Sequence, residues 1–444
     1  MEGENKSSGL EIDPLAEIRD SWSALSVEEK IVSFRSLPRI EAEDLFLSLS
    51  SADQADILNH LDSLEARSWI RFLPPDDVAD LLQEVSTESQ EKLFLLLDKA
   101  SAKEVRGLLA YKEDHAGGLM SPRFLRLRPE LTVDEALRYV RAQAAEHLET
   151  IRYLYVLDAS QKLLGVVSLR QLFFAQPSQK ISEIMRSDLI SLPEDMDQEK
   201  VSHVFSQTGL MAVPVVTKEE KMVGIITVDD IVDVVKEEAT EDIQKFGAQE
   251  VLDAPYLRTG YLELIRKRAG WLTILFVGGT FTASALGFFE DQIEKALVLT
   301  LFIPLIVSSG GNSGSQAATL IIRSLTLREL RLRDWWRVLS REIVVGLSVG
   351  VLLGLLGFAR VALWPEHSSS ANSHFFILSL TIALSVMAVV LWGTIIGSML
   401  PFILRSLRLD PATASAPLVS TLVDVVGIVI YFSIARIFLS GVVG

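Results

Sequence analysis

A chain of 444 residues that is 49% apolar, with a mean hydropathy of +0.31 and 23% charged residues, is too apolar for an ordinary soluble protein and too charged for one wholly in a membrane. The charge is divided unevenly: of 42 basic and 58 acidic residues, 14 and 10 fall in residues 261–444, leaving 28 and 48 in residues 1–260, so a net −20 half precedes a net +4 half. The acidic half repels nucleic acid and anionic lipid and attracts cations, while the lack of cysteine excludes disulfides, thiolate metal sites and thiol catalysis.

The N-terminus, MEGENKSSGLEIDPLAEI, has no basic stretch followed by an apolar one. No cleaved signal is expected, and the soluble half is expected to remain in the cytoplasm. Residues 1–14 read as a disordered tail, and residues 15–118 place Leu, Ile and Val at helical spacing with little strand signal. A weak self-similarity at an offset of 24 sets Asp53-Gln54-Ala55-Asp56-Ile57-Leu58 against Asp77-Val78-Ala79-Asp80-Leu81-Leu82. It predicts pairs of short helices stacked as a superhelical array. Pro74 and Pro75 mark a helix start, so Asp76 and Asp80 share one face four residues apart. Two readings fit that spacing: acids joined by a cation, or a solvated face with Asp76 favoured by the helix N-terminus.

From Leu119 the pattern changes to short β-branched runs alternating with amphipathic helices, and it occurs twice, over 119–180 and 181–236. Each copy reads strand, helix, strand, turn, strand, helix. Met120-Ser121-Pro122 opens one and Met185-Arg186-Ser187 the other, and Gly165-Val166-Val167-Ser168 matches Gly224-Ile225-Ile226-Thr227. This repeat resembles a tandem pair of CBS domains. The resemblance implies a regulatory ligand, and in nucleotide-binding pairs a Ser or Thr with an Asp three residues later holds a ribose. The second copy keeps Thr227 and Asp230, whereas the first has Ser168 and Gln171, so Thr227 is the candidate contact for an adenine nucleotide.

Residues 237–268 form a connecting segment dense in acids, which together with Asp229, Asp230 and Asp233 repeat at i, i+3 and i+4. Such an array is either solvated or neutralised by a partner, and hard oxygen ligands suit divalent cations. Within 269–444, apolar runs predict five transmembrane helices over 271–289, 296–322, 343–363, 375–404 and 411–438. Basic residues cluster before the first, between the second and third, and between the fourth and fifth, which places the N-terminus inside and the C-terminus outside.

The second span contains Pro304 and the stretch Ser308-Ser309-Gly310-Gly311-Asn312-Ser313-Gly314-Ser315-Gln316, read as a polar interruption in hydrocarbon. Either it lines a wet cavity or it is a close helix contact of the small-residue kind. The fifth span holds one ionisable group near its middle, Asp424. An acid there costs roughly 2.5–3.5 kcal/mol to insert, which makes it a functional candidate against the alternative of a structural acid hydrogen-bonded to a neighbouring helix.

Pro304…Gly310-Gly311-Asn312-x-Gly314-x-Gln316-x-Ala318-Thr319, Trp392-Gly393, Asp410-Pro411-Ala412…Pro417 and Asp424-x-x-Gly427 resemble the membrane domain of the MgtE family of magnesium channels. The helical array, CBS pair and acidic connecting helix match that family's architecture too. The implied fold is multidomain: an all-α superhelical N domain, an α/β CBS pair and an all-α polytopic membrane domain. The resemblance implies a homodimer in the plasma (inner) membrane, whose second and fifth helices line a pore. Asp424 would recognise hydrated Mg²⁺, with carbonyls near Gly311, Asn312 and the Thr319 hydroxyl around it. It further implies cytoplasmic Mg²⁺ sites built from acids matching Asp76, Asp80, Asp197, Glu199, Asp230 and Asp233. Glu238, Glu241, Asp242 and Asp410 belong to the same implied set. The chain departs from the pattern at Ser315 and Ala416, where Asn is common, and at Gly209, where an acid is common.

The resulting expectation is a Mg²⁺-selective, Mg²⁺-gated channel for uptake rather than an enzyme. One alternative is a transporter of Mn²⁺ or Co²⁺ on the same scaffold. Another is a membrane-anchored CBS sensor that does not conduct.

Overall fold

The computed structural model describes residues 14–143, 148–252, 256–257, 259–295, 297–363 and 373–439. The expected tail before Pro14, most of the outer loop expected between the third and fourth spans and the last five residues lie outside that set. Two compact units divide the chain, 1–236 and 237–444.

The first unit opens with eight short helices: α1 (Pro14–Ser21), α2 (Val27–Ser36), α3 (Arg39–Ser48), α4 (Ser51–His60), α5 (Ser63–Ile70), α6 (Pro75–Gln83), α7 (Thr87–Phe94) and α8 (Lys99–Leu108). From α2 onward each helix begins twelve residues after the last, so the repeat of 24 read from the sequence is two units of twelve. Two features keep this phase. An apolar residue recurs at 25, 37, 49, 61, 73, 85 and 97, and all seven pack into one core. The next residue caps the following helix: Ser26, Ser50, Asp62, Ser86 and Asp98 accept backbone N–H groups. Pro38 and Pro74 hold the equivalent positions. Such caps contribute about 0.5–2 kcal/mol each, so boundaries recur where caps recur. Alternate helices stack, α2 on α4, α4 on α6 and α6 on α8.

Two three-stranded sheets follow. The first orders β1 (Phe124–Leu127), β2 (Thr150–Leu157) and β3 (Leu163–Ser168), and the second β4 (Leu192–Pro193), β5 (Ala212–Val216) and β6 (Met222–Thr227). In each, the first pair is parallel and the second an antiparallel hairpin. Parallel pairing needs a crossover, supplied by α9 (Val133–Gln143) and α12 (Gln198–Thr208). The shorter helices α10 (Leu169–Phe174) and α11 (Ile181–Ile184) join the copies, and α13 (Val228–Phe246) leaves the second. Gly209 ends α12 at φ +63°, a left-handed position where glycine carries no Cβ penalty, which gives that departure from the family pattern a local cause.

The two copies exchange their openings. Ser121 and Ile225 trade backbone hydrogen bonds at 2.7 and 2.9 Å, while Arg186 and Val166 trade theirs at 3.0 Å. A Cβ on Gly224 would strike Met120, and one on Gly165 would strike Met185. The start of each copy thus lies against the other copy's hairpin.

The second unit contains α14 (Tyr261–Phe288), α15 (Glu290–Lys295), α16 (Ile303–Thr326), α17 (Trp335–Ala362), α18 (Ser373–Ser406) and α19 (Ala416–Leu439). Among the described residues five helices are long and apolar enough to cross a membrane: α14, α16 with the 3-10 turn before it, α17 with the turn before it, α18 and α19. They start or end beyond the apolar runs, because α14 and α17 continue through basic residues at the membrane edge. The stretch read as one connecting segment, 237–268, is divided between the end of α13, a loop and the start of α14.

Helix α16 corrects a sequence expectation. Its glycines do not interrupt it; the helix runs unbroken from Ile303 to Thr326. Missing side chains here serve contact instead. A Cβ on Gly393 would run into the carbonyl oxygen of Gly310, and one on Gly397 into that of Gly314, so α16 and α18 touch backbone to backbone. In hydrocarbon, where no hydrophobic force drives helices together, such close approach is a principal source of packing energy.

Candidate ion pathway and acidic sites

Asp76, in the first turn of α6, is 5% exposed, and its Oδ1 has no hydrogen-bond partner. Its electrostatic neighbours are Glu149, Asp230 and Asp77. Burial first, and then these acids, push its carboxyl well above the usual range. Burial also raises Asp77 to about 6, with Asp230, Asp229 and Asp233 adding to it. Asp230 rises to about 7 through burial, although Thr227 opposes this by donating from N (3.0 Å) and Oγ1 (2.9 Å) to its Oδ2. Glu149 is raised by burial and by Asp77. Carboxylates gathered without enough cations to balance them repel, and that repulsion is strong where water is excluded.

Of the acids singled out in the sequence, Asp76 and Asp230 are brought together and Asp233 lies beside them. Asp233 is largely exposed and pairs with Lys236 at 2.7 Å. Asp80 follows Asp76 by one helical turn and is partly buried. Asp197 and Glu199 stand at the start of α12 instead, where Asp197 bridges the backbone of His115. Asp77 and Glu149 were missed. The Asp76-Asp77 doublet was a visible signal for the first, but Glu149 reaches the group only through the fold. Among the described residues no three Asp, Glu or His side chains could together hold a metal ion directly. The net negative charge of the group suits a cation, and the spacing among the described residues does not offer direct chelation.

Thr227 and Asp230 have a counterpart in the first copy. Ser168 donates from N and Oγ to Gln171 Oε1, both at 2.9 Å. Only the second copy presents an anionic group at that turn.

In the second unit, Glu238, Glu241 and Asp242 are partly buried along α13. Lys245 pairs with Glu241 one turn back and with Asp410 Oδ2 at 2.7 Å. Burial opposes its charge, yet the hydrogen bonds to Asp410 and Glu241 outweigh that and hold the lysine above its ordinary pKa.

Asp424 lies partly buried on α19. Gly311 is buried, and a Cβ on it would meet Ser420 Oγ, one turn before Asp424; one on Gly310 would meet Val423. The glycine face of α16 therefore brings it close to α19 beside the acid. The opposite face is polar and uncovered: Ser308, Asn312, Gln316 and Thr319 recur at helical spacing and are exposed. Asn312 reaches Ser308 Oγ at 3.4 Å, and Thr319 Oγ1 donates to Ser315 O at 2.8 Å. Two of the three departures from the family pattern touch, since Ser315 Oγ lies 3.4 Å from the carbonyl oxygen of Ala416.

The family model MgtE, described as a divalent cation transporter, matches residues 303–434. The MgtE intracellular N domain matches 14–114, and the CBS domain matches 116–178 and 181–237. The magnesium transporter MgtE of Thermus thermophilus is 41% identical over 424 residues, 95% of this chain and 92% of that protein. The magnesium transporter MgtE of Bacillus subtilis is 32% identical, over 89% of this chain and 85% of its own. Among solved structures, the cytosolic domain of the Mg²⁺ channel MgtE in complex with ATP matches at 38% identity and a TM-score of 0.47, over 50% of this chain and 91% of that one. With the family models and these relatives agreeing across its length, the chain belongs to the MgtE family of divalent cation transporters.

Proposed function

We propose that the protein transports Mg²⁺ across a membrane, as a homodimer whose α16 and α19 helices line the ion path. The observation that carries this is the exposed stripe Ser308, Asn312, Gln316 and Thr319 on a membrane-spanning helix. Bonds within the helix use the Thr319 hydroxyl and one Asn312 donor, and hydrocarbon offers nothing to the remaining polar groups of the stripe, so they call for water or a facing copy. Asp424 supplies the negative charge, and a two-fold axis doubles it to match a divalent ion. Mg²⁺ sheds water reluctantly, so the side chains serve best by accepting and donating hydrogen bonds to its hydration shell. Gly311 allows α16 and α19 the close approach that keeps Asp424 beside the path.

Regulation belongs to the same reading, with the N-terminus in the cytoplasm. Asp76, Asp80, Asp197, Glu199, Asp230 and Asp233 are its sensing acids, with Glu238 and Asp242 on the connecting helix. A divalent cation supplies the positive charge that lets them approach. Without it their mutual repulsion favours separation, and the path opens. The partly overlapping Thr227 and Asp230 turn is the contact for an adenine nucleotide.

Ion uptake into proteoliposomes tests the path. Asp424→Ala should reduce Mg²⁺ flux about 100-fold or more, the scale of removing one preorganised polar group from a charge-stabilising site, about 2.7 kcal/mol. Size-exclusion elution as a dimer would show that the fold survives. Undiminished flux in that dimer removes Asp424 from the path, and faster Mn²⁺ or Co²⁺ than Mg²⁺ entry in the parent protein would reassign the ion.

A further inference from the structure

The connecting helix ends in a contact that the resemblance does not foresee. Glu241 and Asp410 belong to the acids it implies as Mg²⁺ ligands, yet both already bond one ammonium, that of Lys245. We propose that Lys245 takes the place of a metal ion between Glu241 and Asp410, tying the end of α13 to the turn between α18 and α19 with no divalent cation. This rests on the reading of the other cytoplasmic acids as the Mg²⁺-sensing set.

The pair is built to hold a lysine. Glu241 lies one turn before Lys245, so both side chains leave the same face of α13. Asp410 is fixed from its other side, since Oδ1 accepts the N–H of Ala412 at 2.8 Å while Oδ2 faces Lys245. The three side chains are only 27%, 33% and 36% exposed. A divalent ion entering here would have to displace an ammonium bonded to both carboxylates and then leave it beside a dication.

The neighbouring chain reinforces the tie. Phe246 packs against the apolar core of the membrane unit. Ala248, at φ +55°, reverses the chain, and its N–H bonds the Lys245 carbonyl at 3.0 Å. Gln244 Oε1 accepts from Leu252 N at 2.8 Å, and Lys267 Nζ on α14 donates to Val251 O at 2.6 Å. The end of α13 is therefore anchored on both sides of Lys245 by groups that carry no negative charge. A tethered cation completes the anchor at all ion concentrations, which leaves Mg²⁺ dependence to the other acids.

The absence of cysteine makes a direct test available in the full-length protein. Spin labels at Ile243→Cys and Leu409→Cys, both on exposed side chains, report the spacing between α13 and the turn before Asp410. With lysine present the distance distribution should be narrow in EDTA and unchanged by millimolar Mg²⁺. Lys245→Met should broaden it in EDTA, and Mg²⁺ should narrow it again by filling the vacated place. Lys245→Arg should remain narrow throughout. A parent distribution that is broad in EDTA and narrowed by Mg²⁺ would overturn the proposal, and this needs no variant to fold. A Lys245→Met distribution as narrow as the parent's in EDTA, or one that Mg²⁺ leaves broad, would overturn it equally. None of these outcomes depends on ion flux, so loss of the transport reading would be seen separately.

Discussion

Two groups of acids in this chain meet the same electrostatic problem differently. Around Asp76 the carboxyls are buried with little counter-charge, and one oxygen has no partner. At Asp410 the carboxyl shares a lysine with Glu241. A group without its own cation depends on the solution to supply one, whereas a group that carries its cation holds at any ionic composition. On the proposed reading, sensing and anchoring are separated by where lysine stands.

The largest contrast should be in pH. Asp77 and Asp230 hold protons to about 6 and about 7 in the folded state, above the ordinary carboxyl range. A raised carboxyl contributes stability that is complete below its unfolded pKa and is lost as pH rises through its folded one. In EDTA, hydrogen-exchange protection of α6, corrected for intrinsic rates, should therefore fall between pH 4 and about 7. The slope is up to about 1.4 kcal/mol per pH unit for each titrating group. Mg²⁺ should flatten it. Lys245, raised rather than lowered, keeps its charge through that window, so the end of α13 should show no matching fall. A flat α6 profile in EDTA would break the comparison.

One kind of substitution should next give opposite signs in the two groups. Asp76→Asn removes a carboxyl that burial and its acidic neighbours disfavour in the ionised form, and at neutral pH in EDTA it should raise α6 protection about 10-fold, the equivalent of about 1.4 kcal/mol. A decrease would mean that Asp76 is satisfied by something other than a solution cation. Asp410→Asn should lower protection at the end of α13. The effect there should be smaller, about twofold to fivefold, because the pair is partly solvated and exposed ion pairs contribute about 0–1 kcal/mol. Unchanged exchange at α13 would reduce the lysine contact to an incidental one.

How much of this was legible in the sequence depended on whether the controlling signal was local. The five apolar helices and the doubled strand-helix pattern were, because hydropathy and period are properties of consecutive residues. The twelve-residue phase of the N-terminal helices was also present, in Leu25, Leu37, Leu49, Leu61, Leu73, Val85 and Leu97, but each falls in a link where helical periodicity is not sought. The glycines of α16 misled because glycine breaks soluble helices, whereas here the backbone of α18 occupies the space and the ladder persists. The meeting of Glu149 with Asp76, the exchange of Met120 and Met185 between copies, and the capture of Lys245 by Asp410 join residues 20 to 165 apart. No local pattern could have announced them.

The backbone contact between α16 and α18 has a consequence for evolution. Gly310, Gly314, Gly393 and Gly397 cannot drift, since any side chain there would push two helices apart, and three of them belong to the motifs by which the membrane domain is recognised. The polar face turned away from that seam is under no such steric restraint. Steric restraint thus accounts for only one face of the motif: Asn312, Gln316 and Thr319 belong to it as well, and on their exposed face packing within the chain supplies no reason for their identity.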